Sequence, residues 1–265
     1  MSDDRYEEIG YADMIHALSE LHYAGETQFY GAAGLRPCEE ALYARYGGSA
    51  SRILDVGCGA GRVTRSLAAR GADITGVDVN PRALRTAHQR DPTAKLVQAD
   101  MKNLPFADRS FDQVWCLRFS FNALPTTKER TEAIRELWRV CAPYGHVILE
   151  VFNWYFPGRL GLVRAANLLD ALSRRLRWVG QGRSGSLPLP PRDILYLANK
   201  WPAAAPGYAH LTTVRELEGL IDGADVKADI VFTDHEGIVS GLLRPVRPRH
   251  RSYATWLLLR KGNQS

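Results

Sequence analysis

Between Arg52 and Val151 the hydrophobic period changes repeatedly, from short apolar runs to stretches with helical spacing, and this alternation restricts the chain to a narrow class of folds. The apolar runs are Arg52–Val56, Ala72–Val77, Lys95–Ala99, Phe111–Leu117 and Gly145–Val151, and helical stretches fall at Gly61–Arg70, Pro81–Gln89 and Lys128–Cys141. A strand, a helix of about ten residues and another strand make a βαβ crossover, so the strands run parallel and helices cover both faces of the sheet. The pattern predicts a doubly wound α/β domain. It resumes at Thr213-Val214-Arg215-Glu216, which has the form of a capping box, and continues in strands at Val226–Thr233 and Ser252–Leu259.

The segments outside that alternation divide the chain. Residues 1–48 read as a helical N-terminal segment, with one helix over Tyr11–Leu21 and a second opened by Pro37, Glu39 and Glu40. Residues 49–152 form the α/β core, 153–210 an inserted cap or lid, and 211–265 the rest of the core. The insertion holds Trp154-Tyr155-Phe156, a helical stretch from Leu160 to Val179, a Gly- and Pro-rich run to Pro191, and Trp201-Pro202.

A chain of 265 residues buries enough apolar surface to fold without disulfides. Its four cysteines, Cys38, Cys58, Cys116 and Cys141, lack the CxxC spacing of a zinc cluster or redox pair and read as reduced thiols. No metal site is expected. The absence of a leader-like apolar run and of about 18 consecutive apolar residues predicts a soluble, cytoplasmic protein. The net charge of +5 is uneven: residues 159–192 carry seven Arg against Asp170 alone, and residues 244–261 carry five Arg and one Lys with no acid. A bias to Arg over Lys also accompanies GC-rich coding, so nucleic acid is not the expected partner.

Chemistry concentrates at the tips of the first three strands. Asp55-Val56-Gly57-Cys58-Gly59-Ala60-Gly61 ends one strand and opens a helix, and its glycines let the backbone turn tightly and approach a ligand at the helix N-terminus. A dinucleotide fingerprint starting at Gly57 requires Gly or Ala where Arg62 stands. Asp55 favours a cationic ligand. Asp78, in Gly76-Val77-Asp78-Val79, is placed to accept both hydroxyls of a ribose, and Asp100-Met101 ends the third strand where an acid and an apolar side chain suit an adenine.

With these elements, Leu104-Pro105-Phe106, Ser110-Phe111-Asp112 and Glu136-Leu137-Trp138-Arg139-Val140 in this order, the chain resembles the class I S-adenosylmethionine (SAM) dependent methyltransferases over about residues 50–152. The resemblance implies a Rossmann-like sheet of seven strands with the last antiparallel, and SAM as cofactor, converted to S-adenosylhomocysteine. It implies that Gly57, Cys58, Gly59 and Gly61 with Asp55 hold the methionine part, Asp78 and Val79 the ribose, Asp100 and Met101 the adenine, and that Leu117 and Arg118 flank the sulfonium. Tyr30, with Tyr23 and Phe29, would close over the cofactor. Tyr144 stands where relatives often carry Gly.

A sulfonium methyl is already activated, so transfer needs alignment and exclusion of water, with a base only for a protonated acceptor. His210 and His235 are the candidate proton acceptors. Phe119, Phe121 and Asn122, after the fourth strand, and Trp154 and Tyr155, after the fifth, are the candidate acceptor contacts, because ligands bind at the carboxyl ends of such strands. The resulting expectation is methyl transfer to a nitrogen or oxygen of a small-molecule acceptor in natural-product metabolism. The alternatives are an RNA or peptide methyltransferase using the arginine-rich stretches, and a SAM-binding protein that does not methylate.

Overall fold

The computed structural model describes residues 12–17, 19, 22, 34–48, 51–158, 192–196 and 207–262. The expected helix over Leu160–Val179, the arginines between 159 and 191, and Tyr23, Phe29, Tyr30 and Trp201 lie outside the described residues.

Residues 12–17 are helical. The elements that follow are α1 (Pro37–Tyr46), β1 (Arg52–Val56), α2 (Arg62–Ala68), β2 (Asp73–Asp78), α3 (Pro81–Arg90), β3 (Lys95–Gln98) and β4 (Phe111–Cys116). After a 3-10 turn at Ser120–Ala123 come α4 (Thr127–Val140), β5 (Cys141–Phe152), β6 (Asp193–Tyr196), β7 (Gly207–His210), α5 (Val214–Gly223), β8 (Asp229–Thr233), α6 (His235–Ser240) and β9 (Ala254–Arg260). Seven strands form one sheet in the order β3-β2-β1-β4-β5-β9-β8. The first five are mutually parallel, and β9 runs antiparallel to both of its neighbours.

Alternate residues of each central strand enter different cores, as a pleat of period two requires. Leu54, Val114 and Leu149 pack with Leu137 of α4 and Leu217 of α5 on one face. Ile53, Trp115 and Ile148 pack with Leu42 of α1, Leu67 of α2 and Ile238 of α6 on the other. The helices begin where local chemistry favours it. Asn80 accepts from the backbone N–H of Arg82 at 2.9 Å, ahead of Pro81 at the first helical position, and Thr126 and Glu129 cap α4 reciprocally.

Two local expectations need correction. At α5 Thr213 caps the N–H of Glu216, but the Glu216 carboxylate turns away to His210 and Arg192, so only half of the capping box forms. The fifth strand starts at Cys141 rather than Gly145, paired with Phe111 across an irregularity in the ladder, and Tyr144 takes φ +63° within it. Of the inserted segment beyond residue 158 the described residues show β6 and β7, which form an antiparallel hairpin, Asp193 opposite His210, with Ile194 and Ala209 packed near Phe152 and Trp154.

Candidate cofactor and acceptor site

The strand tips enclose a cavity of about 640 Å³ at the carboxyl ends of β1, β2 and β4, roofed by His16, Ala17 and Ser19. Its floor is the glycine loop. Gly57 has φ +73°, and a Cβ there would lie 2.5 Å from the Ser120 side chain, so no larger residue fits. Gly59 has φ +55°, yet a Cβ on it would meet nothing within 4 Å, because its backbone faces open space.

Two acids border that space. Asp55 is buried and accepts from the Thr64 hydroxyl at 2.7 Å. Burial pushes its carboxyl up to about 6, against the pull of the Thr64 bond and the nearby Arg62. Asp78 accepts from the N–H of Gly59 and the N–H of Asn80, both at 2.8 Å, while burial raises it. Each Asp78 oxygen keeps a lone pair after those bonds, so the carboxylate can still take a diol. At the third tip Asp100 accepts from the N–H of Lys102 at 2.9 Å, and Met101 packs on the core beneath.

The fourth tip is strained: Arg118 and Phe119 have φ +56° and +67° in succession. A buried acid on β5 holds the turn, since Glu150 accepts from the Arg118 N–H at 2.8 Å. The same carboxylate takes both terminal nitrogens of Arg36, at 2.8 and 2.5 Å.

The cavity wall includes Asp55, Gly57, Cys58, Gly59, Asp78, Val79, Asp100, Met101, Leu117 and Arg118. Gly61 is not on it: with φ +72° it turns the chain into α2, and a Cβ there would lie 3.0 Å from that of Ala87. The expected acceptor contacts are also elsewhere. Phe121 is fully buried in the core, and Phe119 stacks on Phe152 with ring centroids 3.7 Å apart. Asn122 is a buried brace whose amide donates to the His210 carbonyl and accepts from the Phe152 N–H. Trp154 packs on the small core of the hairpin, and Tyr155 lies under Arg249, whose guanidinium carbon is 6.0 Å from the ring centroid.

Neither histidine sits as a base for an acceptor. The buried His210 ring bonds Asp193 at 2.5 Å through Nδ1 and Glu216 at 2.7 Å through Nε2, so both nitrogens are spent on carboxylates. His235 is exposed at the first position of α6, which packs on α1 rather than on the cavity.

Sequence reasoning missed the side chains that fasten the site. Glu39, fully buried, takes both Arg62 nitrogens at 2.6 Å and Arg36 Nε at 2.8 Å. Burial alone would raise Glu39, but those bonds outweigh it and hold the carboxyl low. His16 and Lys102 meet on Glu129 at 2.8 and 2.6 Å, tying the roof to the first turn of α4. Arg62 was legible only as a departure from the dinucleotide pattern, and Glu39 only as an acid at a helix start.

Residues 54–149 match the family described as a methyltransferase domain. This chain carries a class I SAM-dependent methyltransferase domain. The chain is 36% identical over 133 residues to the malonyl-[acyl-carrier protein] O-methyltransferase of Erwinia pyrifoliae, a match covering 49% of this chain and 48% of that protein. It is 33% identical over 138 residues to the 27-O-demethylrifamycin SV methyltransferase of Amycolatopsis mediterranei, covering 49% and 46%. The chain thus spans about half the length of the curated relatives it matches. A SAM-dependent methyltransferase from Methanosarcina mazei shares the fold with a TM-score of 0.61 at 22% identity, over 88% of this chain and 100% of that one. SAM is the cofactor of such a domain, and the cavity suits it: open space before Gly59, a carboxylate with spare lone pairs at Asp78, and a buried acid at Asp55. Among the described residues no helix is long and apolar enough to cross a membrane.

Proposed function

We propose that this chain is a methyltransferase that binds SAM in the β1–β4 cavity and moves its methyl group to a nitrogen or oxygen of a small acceptor in natural-product biosynthesis. Bound SAM supplies an activated methyl, so the protein's work is to hold, orient and keep dry. Gly57 and Gly59 let the backbone approach, and Asp78 holds the ribose hydroxyls. Asp55 balances the ligand's positive charge, and Asp100 with Met101 receives the base. Arg118 and Leu117 border the side from which an acceptor approaches. With His210 engaged at both nitrogens, the acceptor enters as a free amine or an ionised hydroxyl, and no proton transfer to this ring is required. The acceptor class includes rifamycin-like small molecules and acyl groups borne on a carrier protein, as the Amycolatopsis and Erwinia relatives suggest.

The observation that carries this reading is the Asp78 carboxylate, fixed by two backbone N–H groups beside the open face of Gly59. Charge-assisted bonds contribute roughly 1.5–3 kcal/mol each, so losing two should weaken SAM binding by about 100-fold or more. Titration calorimetry of Asp78→Ala with SAM checks this, and unchanged affinity would refute the assigned pocket. Incubation with methyl-labelled SAM and a cell extract, fractionated into small molecules, protein and nucleic acid, then reads the acceptor class directly.

A further inference from the structure

A second cavity, of about 360 Å³, opens at the amino edge of the sheet, where β5, β9 and β8 meet the end of α1. His146, Arg260 and Asp229 stand opposite one another across the three strands, so their side chains share one face. Val231 and Leu258, further along β8 and β9, belong to the core on that face and give the cavity an aliphatic floor. Tyr46 closes it from α1, its ring tilted on the His146 ring with centroids 4.4 Å apart. The Arg45 guanidinium is held there too: it donates to the Gly241 carbonyl, and its carbon lies 5.5 Å from the Tyr46 ring centroid.

Both arginines of the wall bear on the same two rings. Burial pushes His146 down to about 4, and Arg260 and Arg45 push the same way. Tyr46 is raised by burial against the pull of Arg45 and Arg260. Among the described residues neither arginine has an ion pair, and Asp229 is the one acid on the wall, so with His146 neutral the site keeps one uncompensated positive charge. A monoanion neutralises that balance, whereas a phosphomonoester dianion overshoots it. Tyr144 points to a ring. It takes φ +63° with its N–H on the Lys261 carbonyl at 2.8 Å, a left-handed turn that glycine would occupy without strain. Its side chain is 60% exposed on the cavity wall, so packing within the fold does not offset that backbone. With Tyr46 and His146 it presents aromatic surface to a flat ligand. The volume lies near the low end of small-molecule sites, about 300–1000 Å³, and suits a molecule of one or two rings.

We propose that this cavity is a second small-molecule site, which binds a monoanionic carboxylate borne on a flat aromatic ring. It lies at the opposite edge of the sheet from the SAM cavity, about 20 Å along β5 at about 3.3 Å per residue, so its ligand is not the methyl acceptor. Titration of the full chain with 2-naphthoate, followed by amide NMR, tests it. Binding should saturate with a Kd of about 1 mM or tighter, with shifts centred on Tyr144, His146 and Arg260 rather than on Gly57 and Gly59. Arg260→Gln should weaken it by about tenfold or more. Tyr144→Gly should weaken it by about threefold or more, while the melting temperature stays close to that of the unmodified chain because glycine relieves the turn. No binding, shifts confined to the glycine loop, or binding indifferent to Arg260→Gln overturns the proposal. So does equal binding of 2-naphthamide, which removes the need for a charge, or tighter binding of 2-naphthyl phosphate, which replaces the carboxylate by a dianion. A lower melting temperature in Tyr144→Gly with unchanged affinity would assign that ring to the fold and overturn the aromatic half of the site.

Discussion

In the proposed function, the buried Asp55 carboxyl on the cavity wall senses its ligand's charge. Without a ligand its carboxyl titrates at about 6, because burial disfavours the anion more than Thr64 and Arg62 restore it. A sulfonium nearby favours the anion and drags that titration down, so SAM should bind more tightly as pH rises through 6. From pH 5 to pH 7 the gain should be about tenfold. S-adenosylhomocysteine has no sulfonium charge and should show a much shallower dependence. Calorimetric titrations of both ligands at the two pH values check this, and equal slopes would remove Asp55 from the charge-balancing role. The acid itself was readable two residues before Gly57; its burial was not, because Thr64 and the walls around it come from other elements.

At the scale of elements, His210 is a tie rather than a base. It joins β7 to β6 through Asp193 and to α5 through Glu216, while Asn122 grips its carbonyl from the turn after β4. Against the cost of burial, the His210 bond and nearby Arg130 and Arg192 hold Glu216 below the usual carboxylate range. Replacing His210 with Leu removes the ring that joins buried Asp193 to Glu216, while Glu216 keeps Arg192 and Arg130, and should cost about 3 kcal/mol of stability. Chemical denaturation measures that loss. If the folded variant instead kept its stability and lost only methyl transfer, the ring would be a base after all. Strand positions were largely readable, since a buried parallel strand is an apolar run whatever packs on it: β1 matches its expected run residue for residue, and β2, β3 and β4 fall within a residue or so. The hairpin escaped notice because each of its strands has four residues, too few to show a period among Pro and Gly.

Across the whole molecule, two groups at opposite edges of the sheet pull stability in opposite directions with pH. His146, near the amino edge, is pushed down to about 4 by burial and by Arg260 and Arg45. The unfolded chain then binds the extra proton first, so this ring contributes stability above about 6.5 that is lost as pH falls toward 4. Asp55, at the carboxyl edge, keeps its proton up to about 6 when folded, so its contribution is lost as pH rises from the ordinary carboxylate range to 6. Each effect is worth about 1–3 kcal/mol, and together they flatten the profile between pH 4.5 and 6. Relative to the unmodified chain, His146→Phe should tilt the melting-temperature profile downward as pH rises over that interval, and Asp55→Asn should tilt it upward, on top of the slope set by the other shifted groups such as His250 and Glu129. Thermal melts of the two variants without ligand check the pair, and parallel profiles would refute the assignment.

Order along the chain was legible because period, glycine loop and helix caps are local: they depend on neighbours one to four residues away. From them came the doubly wound core and the acids at three strand tips, while the antiparallel last strand came from the family resemblance. The partners of charges were decided only by packing. Glu39 meets Arg62 across 23 residues, Arg36 meets Glu150 across 114, and His16 meets Glu129 across 113. Nothing in the spacing of such pairs marks them, since burial makes them stick and burial exists only once the layers have closed.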